Sequence, residues 1–292
     1  MQHTVRKALI PAAGLGTRLL PVTKAVPKEL LLVVDRPAIQ YVVEEAVTAG
    51  IEEIIFITSP NKDGIANYFT PAPELDSWLV GQGKADLLTA LNHLLSRIRV
   101  TCVYQEQPLG LGHAVLCARD AVGAEPCIVI LPDDLGEADP PLAAQLIQVY
   151  NRTRTGVVAL ERVPRELIHR YGVIAGQEQT PRTYEISALV EKPPPGTAPS
   201  DLAIIGRYVL PPEIFSILAE VRPGVGGEIQ LTDALQVLQR RSGLFGYEFT
   251  GRRHDVGTPL GLLETKIRLG LSNPATRDRV RALLRELSGT EK

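Results

Sequence analysis

A three-residue apolar run, Ala8-Leu9-Ile10, breaks at once into Pro11-Ala12-Ala13-Gly14-Leu15-Gly16-Thr17-Arg18, and this junction restricts the fold more than any other stretch. A short apolar run stopped by proline and glycine reads as a buried strand feeding a loop. The small residues and two glycines let backbone approach a ligand closely, and successive N–H groups there make a concave site for phosphate oxygens. Arg18, Lys24 and Lys28 follow, placing cationic side chains just downstream of those amides. An anion that meets both amides and cations, such as a polyphosphate, is the guest this arrangement suits. Two familiar phosphate loops do not fit. The dinucleotide fingerprint needs a third glycine where this chain has Leu19 and a helix where it has Pro21, and the P-loop ending Gly-Lys-Ser/Thr is absent.

The next segments repeat the pattern. Ile39, Val42, Val43, Ala46 and Val47 fall at helical spacing, with Gly50 behind them, and Glu53–Thr58 is β-rich and ends in Ser-Pro-Asn. Strand, loop, helix and strand in that order make a parallel βαβ unit. Residues 60 to 98 read as a mostly helical insertion, loose from Pro71 to Gly83 and then striped by Leu87, Leu91, Leu94, Leu95 and Ile98. A strand from Arg99 to Glu106 leads to a second glycine loop, Gln107-Pro108-Leu109-Gly110-Leu111-Gly112, which opens a helix. Cys127–Leu131 is then a fully apolar strand stopped by Pro132-Asp133-Asp134. Acidic residues at the carboxyl end of a buried parallel strand stand where open α/β sheets bind ligands, although capping aspartates in a turn give the same pattern.

Beyond a helix near 139 to 153 the chain becomes strand-rich, at 156–163, 171–175, 183–191 and 202–210, with a rigid Pro-Pro-Pro-Gly turn at 193–196. Helices are expected at 212–220 and 230–240, a late strand at 244–250, and two closing helices at 257–269 and 277–287. The last carries Val280, Leu283, Leu284 and Leu287 on one face, to pack on the core or against a neighbouring subunit.

With 292 residues, 45% of them hydrophobic, the chain can bury a sizeable core. Thirty-one Lys and Arg against 33 Asp and Glu leave a net charge of −2, which suggests neither a basic nucleic-acid footprint nor a polybasic membrane patch. Cys102, Cys117 and Cys127 lie in apolar segments without CxxC pairing and read as free thiols in a reducing compartment. No run reaches the ~18 apolar residues of a membrane span, so a cytoplasmic location is expected.

The string GLGTRLLPVTKAVPKELL resembles the signature of the sugar-1-phosphate nucleotidyltransferases, and its Lys24, Pro27, Lys28, Glu29 run looks like the bacterial uridylyl-transferring branch. The likeness continues in order through YQEQPLGLGHAVLCA (104–118), VILPDD (129–134), RYGVI (170–174), LVEKP (189–193), IIGRYVL (204–210), GGEIQLTDAL (226–235) and RRHDVGTPLGLLETK (252–266). It implies an α/β fold: a Rossmann-like mixed, mostly parallel sheet flanked by helices, with a smaller strand-rich sugar-binding part and C-terminal helices. Residues 1–272 would form one catalytic domain, with a nucleotide half to about 155, a sugar half over about 156–256, and a helical tail at 273–292.

The activity implied is formation of UDP-glucose and pyrophosphate from UTP and glucose 1-phosphate, with Mg²⁺ as cofactor and a dimer or tetramer as the assembly. Ala12, Ala13, Gly14 and Gln105 would read the uracil edge, with Gly110 close to the base and Gly16 and Glu29 in the nucleotide site. An amide suits a nucleobase because it donates and accepts on one planar group. Arg18 would hold the β and γ phosphates, Lys28 the α phosphate and Lys192 the sugar phosphate. Glu191 and Gly172 would meet glucose hydroxyls, and Asp133 and Asp255 would share the metal, since two carboxylates with phosphate and water oxygens make the hard octahedral site Mg²⁺ prefers. His113 and His169 are not expected as catalytic bases. The chain departs from the family at Leu32, usually proline, and at His254, usually tyrosine. A thymidylyltransferase, or a catalytically silent regulatory paralogue, stays open as an alternative.

Overall fold

The apolar runs of the sequence become the middle of one sheet. The computed structural model describes residues 4–60, 62–224 and 227–289, so Asn61 of the Ser-Pro-Asn turn, Gly226 of the GGEIQLTDAL string and the end of the tail lie outside the described residues. In chain order the strands are β1 (Lys7–Pro11), β2 (Glu53–Thr58), β3 (Arg99–Tyr104), β4 (Cys127–Ile130), β5 (Asp134–Glu137), β6 (Gly156–Arg162), β7 (Gly172–Thr180), β8 (Thr183–Glu191), β9 (Leu202–Leu210), β10 (Leu244–Glu248) and β11 (Arg252–Asp255). The helices are α1 (Ala38–Thr48), α2 (Asp63–Tyr68), α3 (Pro73–Gly81), α4 (Thr89–Leu95), α5 (Leu111–Cys117), α6 (Arg119–Val122), α7 (Leu142–Thr153), α8 (Ile214–Glu220), α9 (Leu231–Ser242), α10 (Pro259–Ser272) and α11 (Arg277–Gly289).

Nine strands join in the order β3-β2-β1-β4-β9-β6-β10-β8-β7. The pairings β3–β2–β1–β4 and β6–β10 are parallel, while β9 and β8 run against their neighbours, so the sheet is mixed with seven of its nine strands pointing one way. Period-two alternation divides the core between the two faces. Ala8, Ile10, Ile54, Phe56, Ile128 and Ile130 pack under α1 and α7. Leu9, Ile55, Ile57, Cys127 and Val129 pack under α5, α8 and α9. Strands buried on both faces read as continuous apolar runs, which is why β1, β2 and β4 are visible in the sequence.

β9 is buried at all nine positions, Arg207 among them. Arg207 grips Glu45 of α1 through two contacts of 2.9 and 2.7 Å and also donates to the Leu131 and Asp134 carbonyls at 3.3 and 2.7 Å. A buried guanidinium is tolerable only when its fixed fork of donors is filled in this way. The contacts hold both ends of the segment that carries Asp133.

Three expectations change. The stretch 71–83 contains α3, because Pro73 at the first helical position is pre-set for a helix and Glu74 and Asp76 stand in its first turn. Leu87 lies in a separate 3₁₀ turn and is exposed, so the stripe it was to begin starts only with α4. After Asp133 the chain enters β5, which pairs antiparallel with β11 in a ribbon of its own, with Asp255 opposite Asp134. The three cysteines are free thiols, Cys127 buried and the other two half-buried. Among the described residues no helix is long and apolar enough to cross a membrane.

α10 starts shortly beyond β11 at Pro259 and is capped by Thr258, whose hydroxyl accepts from the Gly261 N–H at 3.1 Å. Thr258→Ala is expected to cost about 1 kcal/mol of folding free energy. Urea titration should show a lower midpoint at unchanged slope, and an unmoved midpoint would remove the cap from the stability of the chain.

Candidate functional site

β1 and β4 are adjacent and parallel, so the glycine loop after Pro11 and the Pro132-Asp133-Asp134 segment after β4 emerge at the same sheet edge. Between them lies a cleft of about 320 Å³ lined by Ala13, Gly14, Lys28, Glu29, Gln105, Gly110 and Asp133. A second cavity of about 170 Å³ is lined by Tyr171, Gly172, Glu191, Asp134, Gln230 and Thr232. Leu111 and Leu131 line both, so the two adjoin across the end of β4. Most of the sequence-expected site residues therefore meet at one edge, in two neighbouring compartments. An open apolar groove of about 600 Å³, lined by Leu20, Leu32, Leu262 and Lys266, is larger but brings no carboxylate to its walls.

The glycine loop is held from behind by a lysine that sequence reasoning missed. Lys62 donates to the Ala12 carbonyl at 2.7 Å and the Gly14 carbonyl at 2.5 Å, and pairs with Glu29 at 3.2 Å. Ala12 also gives its N–H to the Ile57 carbonyl at 2.7 Å, so its backbone is spent on the scaffold while Ala13 and Gly14 line the cleft. Glu29 is buried and its ion pair is with Lys62. Burial pushes the Glu29 carboxyl up and the Lys62 ammonium down, and the charge of each partner pulls the other back. Gly16 has φ 65° and Gly110 φ 94°, a region that L side chains rarely adopt, and a Cβ at Gly110 would also stand 2.9 Å from the Ile229 carbonyl.

Asp133 and Asp255 meet because of the β5–β11 ribbon, whose register is continued by a hydrogen bond from the Val256 N–H to the Asp133 carbonyl at 2.8 Å. Gly257 marks their focus. A Cβ placed there would lie 3.1 Å from Asp255 Oδ1, 3.3 Å from Asp133 Oδ2 and 3.5 Å from Arg18 Nη2. Lys28 Nζ stands 2.6 Å from the same Asp133 oxygen. Burial pushes the Asp133 carboxyl up, but the Lys28 ammonium and then Arg18 more than offset this, so Asp133 titrates below the usual carboxylate range and stays an anion. Lys24 is exposed in a 3₁₀ turn. Asp134 is spent elsewhere, accepting from Arg253 at 2.8 Å and from the Gly206 N–H at 3.2 Å.

On the other side, Glu191 accepts from Thr232 at 2.7 Å beside Gly172, where a Cβ would stand 3.1 Å from the same carboxylate oxygen. Lys192 has a positive φ of 43° and an exposed side chain whose Nζ is 3.5 Å from Glu191. Arg253 braces the second cavity from behind, reaching Asp134, Glu161 at 2.6 Å and the Tyr171 hydroxyl at 3.2 Å. An arginine inside the apolar string IIGRYVL was a signal that Arg207 has buried partners, whereas nothing around Lys62 announces its role. His254, in the family's tyrosine position, is buried and meets Glu137 at 3.1 Å, and burial keeps its imidazole pKa low. Leu32 bridges Pro37 in an exposed turn.

A glycine loop backed by a parallel sheet, facing an acidic strand end with two cations, is a site for nucleotidyl transfer. The nucleotidyl transferase family model matches residues 7–269, and the chain belongs to that family. It is 48% identical over 276 residues, 94% of each chain, to the UTP–glucose-1-phosphate uridylyltransferase of Bacillus subtilis strain 168. Among solved structures it resembles UTP-bound UGPase from Acinetobacter baumannii, at TM-score 0.89 and 41% identity over 97% of this chain and all of that one. It also resembles a UDP-glucose pyrophosphorylase complexed with UDP-glucose, at TM-score 0.84 and 40% identity over 92% of this chain and all of that one.

Proposed function

We propose that the chain transfers a uridylyl group from UTP to glucose 1-phosphate, forming UDP-glucose and pyrophosphate. The observation that carries this is the convergence of Asp133, Asp255, Arg18 and Lys28 on one point beside a cleft lined by Gln105 and the glycine loop. In the reaction the phosphate oxygen of glucose 1-phosphate attacks the α-phosphorus of UTP in line, and the bond from that phosphorus to the β-phosphate oxygen breaks as pyrophosphate leaves. No covalent enzyme intermediate is needed, so positioning and charge neutralisation supply the catalysis.

In this reading Ala13, Gly14, Gln105 and Gly110 hold the base, Arg18 the β and γ phosphates, and Lys28 the α phosphate. Lys28 would exchange its bond to Asp133 for a phosphate oxygen. Lys192 grips the phosphate of the sugar substrate, and Glu191 with the Gly172 backbone takes sugar hydroxyls. Ala12 and Glu29, through Lys62, act on the loop from behind. Residues 1–272 act as one catalytic unit in the cytoplasm, with the 273–292 tail available for self-association.

The donor set fits a magnesium ion. Among the described residues no cluster of three or more His, Cys, Asp or Glu could hold a metal by itself, and two carboxylates that leave the other positions to phosphates and water are what Mg²⁺ accepts. Bound between Asp133 and Asp255, it would neutralise phosphate charge as the α-phosphorus is attacked.

Pyrophosphate release over a panel of nucleoside triphosphates and sugar phosphates tests the assignment. UTP with glucose 1-phosphate is expected to be used at least ten times more efficiently than dTTP, about 1.4 kcal/mol of discrimination in the transition state. Equal use of dTTP would favour thymidylyl transfer, and no turnover with any pair would favour a regulatory role.

A further inference from the structure

Gln105 follows β3, its backbone N–H bonded to the Thr58 carbonyl at 2.8 Å, and its side chain is almost fully buried in the wall of the nucleotide cleft. Its Nε2 has two neighbours. The Gly110 carbonyl lies at 3.1 Å and His113 Nδ1 at 3.0 Å. An amide nitrogen carries two hydrogens, and a carbonyl oxygen accepts only. With both hydrogens placed, Nε2 has nothing left to offer a ligand. Among the described residues no protein group donates to Oε1, so the oxygen is the amide's remaining polar atom.

We infer that His113 is a positioning residue which, with the Gly110 carbonyl, fixes the Gln105 amide so that its oxygen meets the base and selects the N3–H of uracil against the N3 lone pair of cytosine. The inference rests on the proposed reading of Gln105 as a residue that contacts the base.

The chemistry follows from the donor inventory. For Nδ1 to accept, the imidazole proton must sit on Nε2. Cys117, one turn along α5, stands with its sulfur 3.9 Å from both ring nitrogens and so does not choose between the tautomers; the amide donor at Nδ1 does. In the opposite orientation the amide oxygen would face the Gly110 carbonyl, acceptor against acceptor. Uracil and thymine both carry a hydrogen on N3, while neutral cytosine carries a lone pair there. A fixed acceptor therefore admits the first two and leaves two acceptors opposed for the third, which is how buried polar groups reject a near-isostere.

This separates His113 from a residue that merely supports the loop. Loosening the cleft would change all base preferences together, whereas freeing the amide should change only the preference that depends on N3. The test measures the inhibition constant of CTP as a competitor relative to the KM for UTP, alongside the kcat/KM ratio of UTP to dTTP, within each purified variant. Ratios taken on one preparation do not depend on its active fraction.

His113→Ala is expected to bring the CTP inhibition constant about fivefold closer to the UTP KM, the worth of one hydrogen bond, with the UTP to dTTP ratio unchanged. His113→Asp, which restores an acceptor that cannot donate when ionised, should recover the selectivity. Gln105→Ala must also lower the CTP discrimination. If it does not, Gln105 does not read the base and that part of the site falls, taking this inference with it. If Gln105→Ala lowers the discrimination while His113→Ala leaves it intact, or shifts the dTTP ratio equally, the positioning role alone is overturned.

Discussion

Asp133→Asn and Asp255→Asn are each expected to lower turnover of UTP with glucose 1-phosphate by on the order of a thousandfold while leaving the fold intact. Both carboxylates focus on Gly257 beside Arg18, and their two negative charges would hold the metal ion that neutralises the phosphates. Asparagine keeps the shape and one oxygen but loses the charge, and its NH₂ can face the metal where an oxygen is required. The fold should tolerate the change because the β5–β11 ribbon is held by backbone bonds and by Arg253 on Asp134, neither of which uses these two side chains. Asp133→Asn also trades the Lys28 ion pair for a bond to a neutral acceptor at most, so binding of UTP without metal is expected not to weaken. Initial rates across a magnesium titration, with near- and far-ultraviolet circular dichroism on each variant, give the reading. Near-normal rates at saturating magnesium in either variant would remove that residue from the metal site.

The sequence showed the strands of the nine-stranded sheet well and the β5–β11 ribbon poorly. β1, β2 and β4 are built on apolar runs, β9 is one interrupted by Arg207, and β8 and β9 have the expected ends. β5 and β11 have only four residues each, and the strings DLGE and RRHD look like loop. Their invisibility mattered, because that ribbon alone brings Asp255 to Asp133 across 122 positions of chain, counted from residue numbers 133 and 255. For the same reason local pattern does not separate the two adjacent aspartates, and the choice of Asp133 rests on the family resemblance alone. Only the partners separate them, since Arg253 and the Gly206 amide engage Asp134 while Lys28 and Arg18 face Asp133. Local glycine geometry was legible, because Gly16 and Gly110 need backbone angles that few other residues accept. Lys62 was not, since nothing in a lysine's neighbours along the chain tells which carbonyls it will reach.

The two phosphate-binding lysines should fail in different ways. Lys28 shares the nucleotide cleft with Gln105 and Gly110 and touches Asp133, whereas Lys192 follows β8 with an exposed side chain next to Glu191, which lines the adjoining cavity. The Lys192 backbone is held in the left-handed region at φ 43°, with its N–H bonded to the Tyr171 carbonyl at 3.0 Å. A side chain other than glycine in that region costs roughly 1 kcal/mol, and such strain is often found where a side chain must be aimed. A charge-assisted contact to phosphate is worth about 1.5 to 3 kcal/mol. Lys192→Ala should therefore raise the KM for glucose 1-phosphate by roughly ten- to a hundredfold and leave equilibrium UTP binding nearly unchanged. Lys28→Ala should weaken UTP binding by a similar factor and spare the sugar phosphate. Both variants will lose kcat, because each cation also faces charge that develops in the transition state, so turnover alone cannot separate them. Calorimetric titration with UTP, set against steady-state kinetics in glucose 1-phosphate, does separate them. A Lys192→Ala variant that loses UTP binding yet keeps its affinity for the sugar phosphate would place the end of β8 on the nucleotide side and exchange the two compartments.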